Sequence, residues 1–152
     1  MNILKSRELF NFGLGLAARI SRRDQRGTFI LPLMRLMGRA TGSARKLKPK
    51  DNIKEIGTEW QRMFPAGKKH MPLVAVSEDT VIAEIRLPCP LKDTGDVHAC
   101  YRMMEYDREM VRQIGGEFVV LESQSNNGKG ICRIAMRKKG SDLSDLVPAH
   151  ER

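Results

Sequence analysis

Three cysteines and one histidine are the residues of this sequence best suited to chemistry. Cys89, Cys100 and Cys132 carry thiols, and His98 lies two positions before Cys100. Thiolates and imidazoles are common zinc ligands, and a thiol beside a base is the usual arrangement of a cysteine nucleophile. The spacing matches no zinc-finger pattern, since no Cys-x₂-Cys occurs. Metal ligation, a reactive thiol and ordinary packing of buried cysteine all remain open.

The elements that carry the cysteines are predicted to direct all three toward one interior. Apolar residues alternate over 81–87, which indicates a strand with one buried face, and Cys89 follows in phase. Cys132 is the first inward-facing residue of the last predicted strand. Cys100 lies on the apolar stripe of a helix, near its N-terminus.

Two assignments of this site follow from the residue types. As a nucleophile, Cys100 would gain from the helix dipole, with His98 as base and Asp96 as its orienter. The substrate would then contact three inward side chains: Met104, Cys132 and Met136. As a metal centre, the site would hold zinc through Cys89, His98, Cys100 and Cys132.

The order of elements predicts an α+β fold, with N-terminal helices followed by a β-β-α-β-β unit with a small antiparallel sheet. Helices are expected over 3–22 and around 28–38, and a Gly/Ser/Lys-rich linker over 41–50. A third helix is expected from its cap Asp51 to Phe64, where Pro65 ends it. We divide the chain into a basic helical region (1–70), the β-β-α-β-β core (71–139) and a flexible tail (140–152), together one folded domain.

A single helix is predicted from the cap at Asp96 to residue 114. Its charged residues define the face expected to meet water: Glu105, Asp107, Arg108, Glu109 and Arg112. Glu105 and Arg108 are spaced as helical neighbours, as are Glu109 and Arg112, so both pairs are predicted to form ion pairs.

Positive charge is concentrated in the first half of the chain. The net charge is +9, but residues 1–70 carry 16 Lys and Arg against 5 Asp and Glu, and the remainder is slightly acidic. This region favours an anionic membrane surface or an acidic protein as a partner. Its aromatic residues have helical core spacing and are not interleaved with arginines, so no specific nucleic acid is predicted.

The odd number of cysteines and the absence of a secretory signal predict a reducing, cytoplasmic location, with peripheral contact at the inner membrane as an option. Exposed sheet edges would also allow a homodimer.

The predicted core resembles two families of small proteins. The resemblance covers residues 72–138 and rests on Cys89, the helix 100–114, the strand 118–123 and the segment 130–134. In this stretch the chain is similar to vinyl-reductase-like small-molecule-binding domains and to L-2-amino-thiazoline-4-carboxylic acid hydrolase-like proteins. Where the former tend to carry a further cysteine, this chain has Ser123-Gln124-Ser125.

The two resemblances imply different functions. The hydrolase-like family implies that water opens a small heterocyclic or amide C–N bond, and only Cys132 and the acidic helix entry (Asp93, Asp96) match it here. The vinyl-reductase-like family implies a sensor or accessory domain without catalysis. Its small-molecule ligand would lie between helix and sheet, against four methionines: Met103, Met104, Met110 and Met136.

Overall fold

The computed structural model describes residues 3–64 and 67–152, with side chains from residue 8 onward. The helices are α1 (Ile3–Arg23), α2 (Ile30–Ala44), α3 (Ile53–Arg62), α4 (Gly67–His70), α5 (Val97–Met103) and α6 (Glu105–Gln113). The strands are β1 (Leu73–Val76), β2 (Thr80–Ile85), β3 (Gly116–Glu122) and β4 (Cys132–Lys138), and a short 3₁₀ helix covers Ala149–Glu151. This confirms the predicted α+β class, with helices preceding a β-β-α-β-β arrangement.

The four strands form one antiparallel sheet in the order β1-β2-β4-β3. β4 lies between β2 and β3, with Val81 opposite Met136 and Ile85 opposite Cys132. Because side chains alternate along a strand, Val81, Ala83 and Ile85 of β2 share the buried face with Cys132 and Ile134. The inward phase predicted for both strands is therefore confirmed.

Helix α3 packs on the buried face of the sheet. Trp60 is fully buried there, with the rings of Phe64 and Phe118 at 5.6 and 6.0 Å. The cap of α3 is Asn52, whose side chain accepts a hydrogen bond from the Glu55 N–H at 3.0 Å, so the prediction of Asp51 was one residue early. Pro65, predicted to end this helix, lies outside the described residues.

Helix α2 covers α6, which changes the environment predicted for the acidic residues of α6. Glu105, Asp107 and Glu109 are all buried, so the prediction that they meet water was wrong. Glu105 and Glu109 are covered by α2, which extends to Ala44, four residues into the predicted linker, and Asp107 is buried against Trp60 of α3. The two small residues Gly38 and Gly42 let α2 approach α6 closely.

Arginines compensate the two buried glutamates. Arg35 and Arg39 of α2 reach Glu105 and Glu109 respectively, each at 3.0 Å. The predicted pairs Glu105–Arg108 and Glu109–Arg112 are also present, both at 2.7 Å.

The helix predicted over 96–114 is divided at Met104 into α5 and α6. After β4 the chain returns to the core: Arg137 holds Asp145 in an ion pair of 2.6 Å, and Ala149 is buried. None of the helices in the described part of the chain combines the length and the apolar content needed to cross a bilayer.

Candidate functional site

The structure brings Cys100 and Cys132 together beneath the sheet's end. Cys132 is the first residue of β4, and Cys100 lies on the buried side of α5. Their exposed fractions are only 5% and 4%, and the two side chains are close enough that each changes the pKa of the other. We call these two cysteines, together with Ser123 and Gln124, the thiol site.

Gln124 supplies the polar surroundings of the Cys132 sulfur. Its backbone N–H lies 3.5 Å from Cys132 Sγ, and its side-chain Nε2 lies 3.7 Å from the same atom. Nε2 also donates to the Leu87 carbonyl at 3.2 Å. The carboxamide oxygen, Oε1, is buried and has no hydrogen-bond partner among the described residues. A buried acceptor without a partner lowers the stability of the folded protein, so a donor placed beside Oε1 would form a favourable hydrogen bond.

The two thiols differ in acidity. The pKa of Cys132 is lowered to about 7, first because the Cys100 thiol donates to it and further because Gln124 donates, against the opposing effect of burial. The pKa of Cys100 is raised well above its ordinary value by the same contact and by burial. In this pair Cys132 is therefore the more acidic thiol and Cys100 the less acidic one.

Cys89 is more exposed than the other two cysteines. It is partly buried after the end of β2, and its Sγ accepts the Leu91 N–H at 3.4 Å. Burial raises its pKa. A raised pKa keeps this thiol protonated and less nucleophilic.

Two loops enclose the thiol site. The loop before α5 is joined to the loop after β3 by hydrogen bonds from the Asp93 N–H to the Gln124 carbonyl (3.1 Å) and from the Gly95 N–H to the Ser125 carbonyl (2.8 Å). The Ser123 and Ser125 hydroxyls lie 2.8 Å apart in the same place. Access to the thiols would require these loops to separate.

His98 and Asp96 are not arranged as a base and its orienter beside Cys100. His98 is exposed, because two residues along a helix turn a side chain to a different face from Cys100. Its ring lies 6.1 Å from that of His150. Asp96 caps α5 by accepting the Ala99 N–H at 2.9 Å, and it lies 3.7 Å from Arg22.

The four predicted zinc ligands are not assembled. Within residues 3–64 and 67–152, no three His, Cys, Asp or Glu side chains are grouped so that they could hold a metal ion. All three predicted substrate contacts, Met104, Cys132 and Met136, are side chains of the hydrophobic core.

A buried carboxylate lies in the same core. Asp107 Oδ1 accepts the Trp60 Nε1–H at 3.1 Å, and burial raises the pKa of Asp107 to about 6. Sequence reasoning missed this residue because helical spacing alone placed it with the charged face. It also missed Gln124, whose only sequence signal was a polar Ser-Gln-Ser run directly after a strand.

Two surface depressions lie away from the thiol site. A groove of about 450 Å³ lies between α2 and α6, where it is lined by Arg35, Arg39, Glu109, Arg112, Gln113 and Lys139. A smaller one of about 210 Å³ lies beside α3 and α4. The arginines of the groove are already paired with the two buried glutamates.

Comparison with protein families, curated proteins and solved structures found no match to this chain.

Proposed function

We propose that the protein is a small thiol-dependent hydrolase that cleaves a C–N bond in a small heterocyclic or amide substrate, with Cys132 as the nucleophile. One observation carries the proposal: the buried Gln124 Oε1 has no partner among the described residues and belongs to the side chain whose Nε2 lies 3.7 Å from Cys132 Sγ. An amide or amidine N–H would supply the donor that this oxygen lacks. The resemblance to aminothiazoline-carboxylate hydrolase-like proteins favours the same class of substrate.

In the first step the Cys132 thiolate attacks the carbon of the C–N bond. The bond to nitrogen breaks, and the nitrogen leaves with the proton of the Cys100 thiol, so that negative charge passes to Cys100. A pKa near 7 favours Cys132 in this role, because an appreciable fraction is ionised at neutral pH.

In the second step water cleaves the bond between the Cys132 sulfur and the substrate carbon, which is an acyl carbon for an amide and an imidoyl carbon for a cyclic amidine. The hydroxide of the water adds to this carbon, its proton returns to Cys100, and the Cys132 thiolate is released. Both sulfurs are then in their starting states. The nucleophile is thus Cys132, which the residue pattern predicted as a substrate contact, and Cys100, the predicted nucleophile, becomes the proton donor.

The alternative, a vinyl-reductase-like binding domain without catalysis, has less support. Met103, Met104, Met110 and Met136 would have to form the wall of a ligand cavity between helix and sheet. All four are buried members of the hydrophobic core, and Met110 and Met136 have exposed fractions of 1% and 0%. They therefore fill the space that the ligand would need.

Turnover of 2-aminothiazoline-4-carboxylate and of a series of small amides tests the proposal. We expect Cys132→Ala to lower kcat/KM at least about 1,000-fold, as removal of a nucleophile does elsewhere. Cys89→Ala is the matched control and should retain activity. Circular dichroism of both variants, and of Cys132→Ser, checks that the fold is kept. Full turnover by folded Cys132→Ala would contradict the proposal, as would a wild type inactive on the whole series.

A further inference from the structure

Helix α1 turns mostly small residues toward the protein body and large apolar residues away from it. The side toward the body consists of Leu14 and small residues, of which Ala18 and Ser21 are the most buried. The opposite side carries Leu9, Phe12 and Leu16, with exposed fractions of 67%, 70% and 49%. At about 100° per residue these three lie within one narrow sector of the helix, facing away from the core.

The attachment of α1 to the body is polar and specific. Ser21 Oγ donates to the Ala99 carbonyl at 2.7 Å, and Arg102 Nη2 donates to the Ser21 carbonyl at 2.8 Å. These contacts fix the rotation of the helix, so the large apolar side chains cannot turn inward without breaking them. Their exposure is therefore a property of the docked helix.

The exposed apolar sector continues into positive charge. Arg19 and Arg23 fall on the same side of α1 as Leu16, and both are exposed. Within the described part of the chain neither takes part in an ion pair, whereas the nearby Asp24 is used to cap α2 through the N–H groups of Phe29 and Ile30. Phe29, in the turn that leads to α2, is 60% exposed.

We propose that the outward side of α1 is a docking surface for an anionic lipid bilayer. Leu9, Phe12 and Leu16 would enter the boundary between headgroups and acyl chains, and Arg19 and Arg23 would contact the anionic headgroups. An apolar sector followed by cations on one helix side fits this surface chemically. An acidic protein could pair with the arginines, and a second copy of the chain could cover the apolar residues. A surface that offers both an apolar layer and negative charge, as an anionic bilayer does, fits the two groups together better than either.

Co-sedimentation of the full chain with vesicles tests this surface. Phosphatidylcholine vesicles with and without phosphatidylglycerol are compared at low salt and at about 0.5 M salt, where charge interactions are screened. We expect binding to the anionic vesicles and its weakening by salt.

Two variants separate the apolar and the charged contributions. Changing Leu9, Phe12 and Leu16 together to Ser should weaken binding by at least about tenfold per side chain. Arg19→Gln with Arg23→Gln should weaken it about fivefold per charge. Lys68→Gln with Lys69→Gln makes the same charge change in α4 and should leave binding unaltered.

Several outcomes would overturn the proposal. Equal sedimentation with neutral and anionic vesicles would do so, as would equal loss in the α4 control. Binding to polyglutamate without binding to vesicles would assign the surface to an acidic protein. A dimer in sedimentation velocity that the Ser variant dissociates, with no vesicle binding by the wild type, would assign it to self-association.

Discussion

The thiols of Cys100 and Cys132 are unequal although they are in contact. The proton of Cys100 stabilises charge on Cys132, and the same contact disfavours ionisation of Cys100. Once the two loops separate, an alkylating agent should therefore react faster with Cys132 than with Cys100, and its rate should follow the ionisation of Cys132.

We expect the rate of Cys132 alkylation by iodoacetamide to rise with pH around a midpoint near 7, below the ordinary value of 9.0. Cys100→Ala removes the main donor and should move this midpoint upward. Peptide mass spectrometry measures the rates at each pH. A midpoint unchanged in Cys100→Ala would show that the contact does not control the acidity of Cys132.

Asp107 is a second residue whose chemistry depends on burial. Its pKa is raised from 3.8 to about 6, so the folded protein prefers the protonated form. The stability from this group is complete below about pH 4 and is lost as pH rises to about 6, because the unfolded chain ionises first.

Asp107→Asn should raise the free energy of unfolding at neutral pH, by up to about 3 kcal/mol, since the amide cannot ionise and can still accept from Trp60. The decline of stability between about pH 4 and pH 6 should also become smaller. Denaturant unfolding across this range measures both effects. Asp93→Asn, at an exposed position, is the control and should change stability by less than about 0.5 kcal/mol. A loss of stability in Asp107→Asn at pH 7 would contradict the account.

At the scale of elements, the contact between α2 and α6 requires a residue without a side chain. A Cβ at Gly38 would lie 2.9 Å from Glu109 Cβ and 3.1 Å from the Tyr106 backbone oxygen. The backbone atom cannot move without shifting α6, so the approach of the two helices depends on this glycine.

Gly38→Ala should destabilise the protein by about 1–3 kcal/mol despite the better helix propensity of alanine. Gly13→Ala is the matched control, because a Cβ there meets nothing within 4 Å, and it should be neutral or stabilising by up to about 1 kcal/mol. Thermal unfolding compares the two variants. Equal effects would show that the helices can separate without cost.

The sheet could be predicted from the sequence because its information is local. The alternation in β2 and the position of Cys132 on β4 follow from a period of two, which needs no knowledge of neighbouring elements. The division of the last long helix at Met104 could not be predicted, because the apolar stripe continues through it. The burial of Glu105 and Glu109 depends on α2, which is distant in sequence.

For the whole molecule, the sequence predicted which elements hold the cysteines but not their environment. Strand and helix phase indicated that Cys100 and Cys132 point inward, and they meet. The acidities of the two thiols depend on their closeness to each other and on Gln124, which lies in a loop and has no periodic pattern to place it. His98 was assigned by proximity in sequence, whereas helical geometry separates it from Cys100.

The concentration of positive charge in residues 1–70 was visible in the sequence. In the structure some of these arginines form ion pairs within the protein and others remain exposed. Arg35 and Arg39 neutralise buried glutamates, and Arg22 lies near Asp96. Arg19 and Arg23 remain exposed beside the apolar side of α1. Charge counting alone could not separate these structural arginines from those free to contact a partner.

The most direct test of the central claim is detection of the acyl–sulfur intermediate by mass spectrometry after rapid acid quenching during turnover. The account predicts that the protein gains the mass of the acyl group, that the modified peptide contains Cys132, and that Cys132→Ala acquires no such mass. An adduct on Cys89 or Cys100, or undiminished turnover in Cys132→Ala, would contradict it.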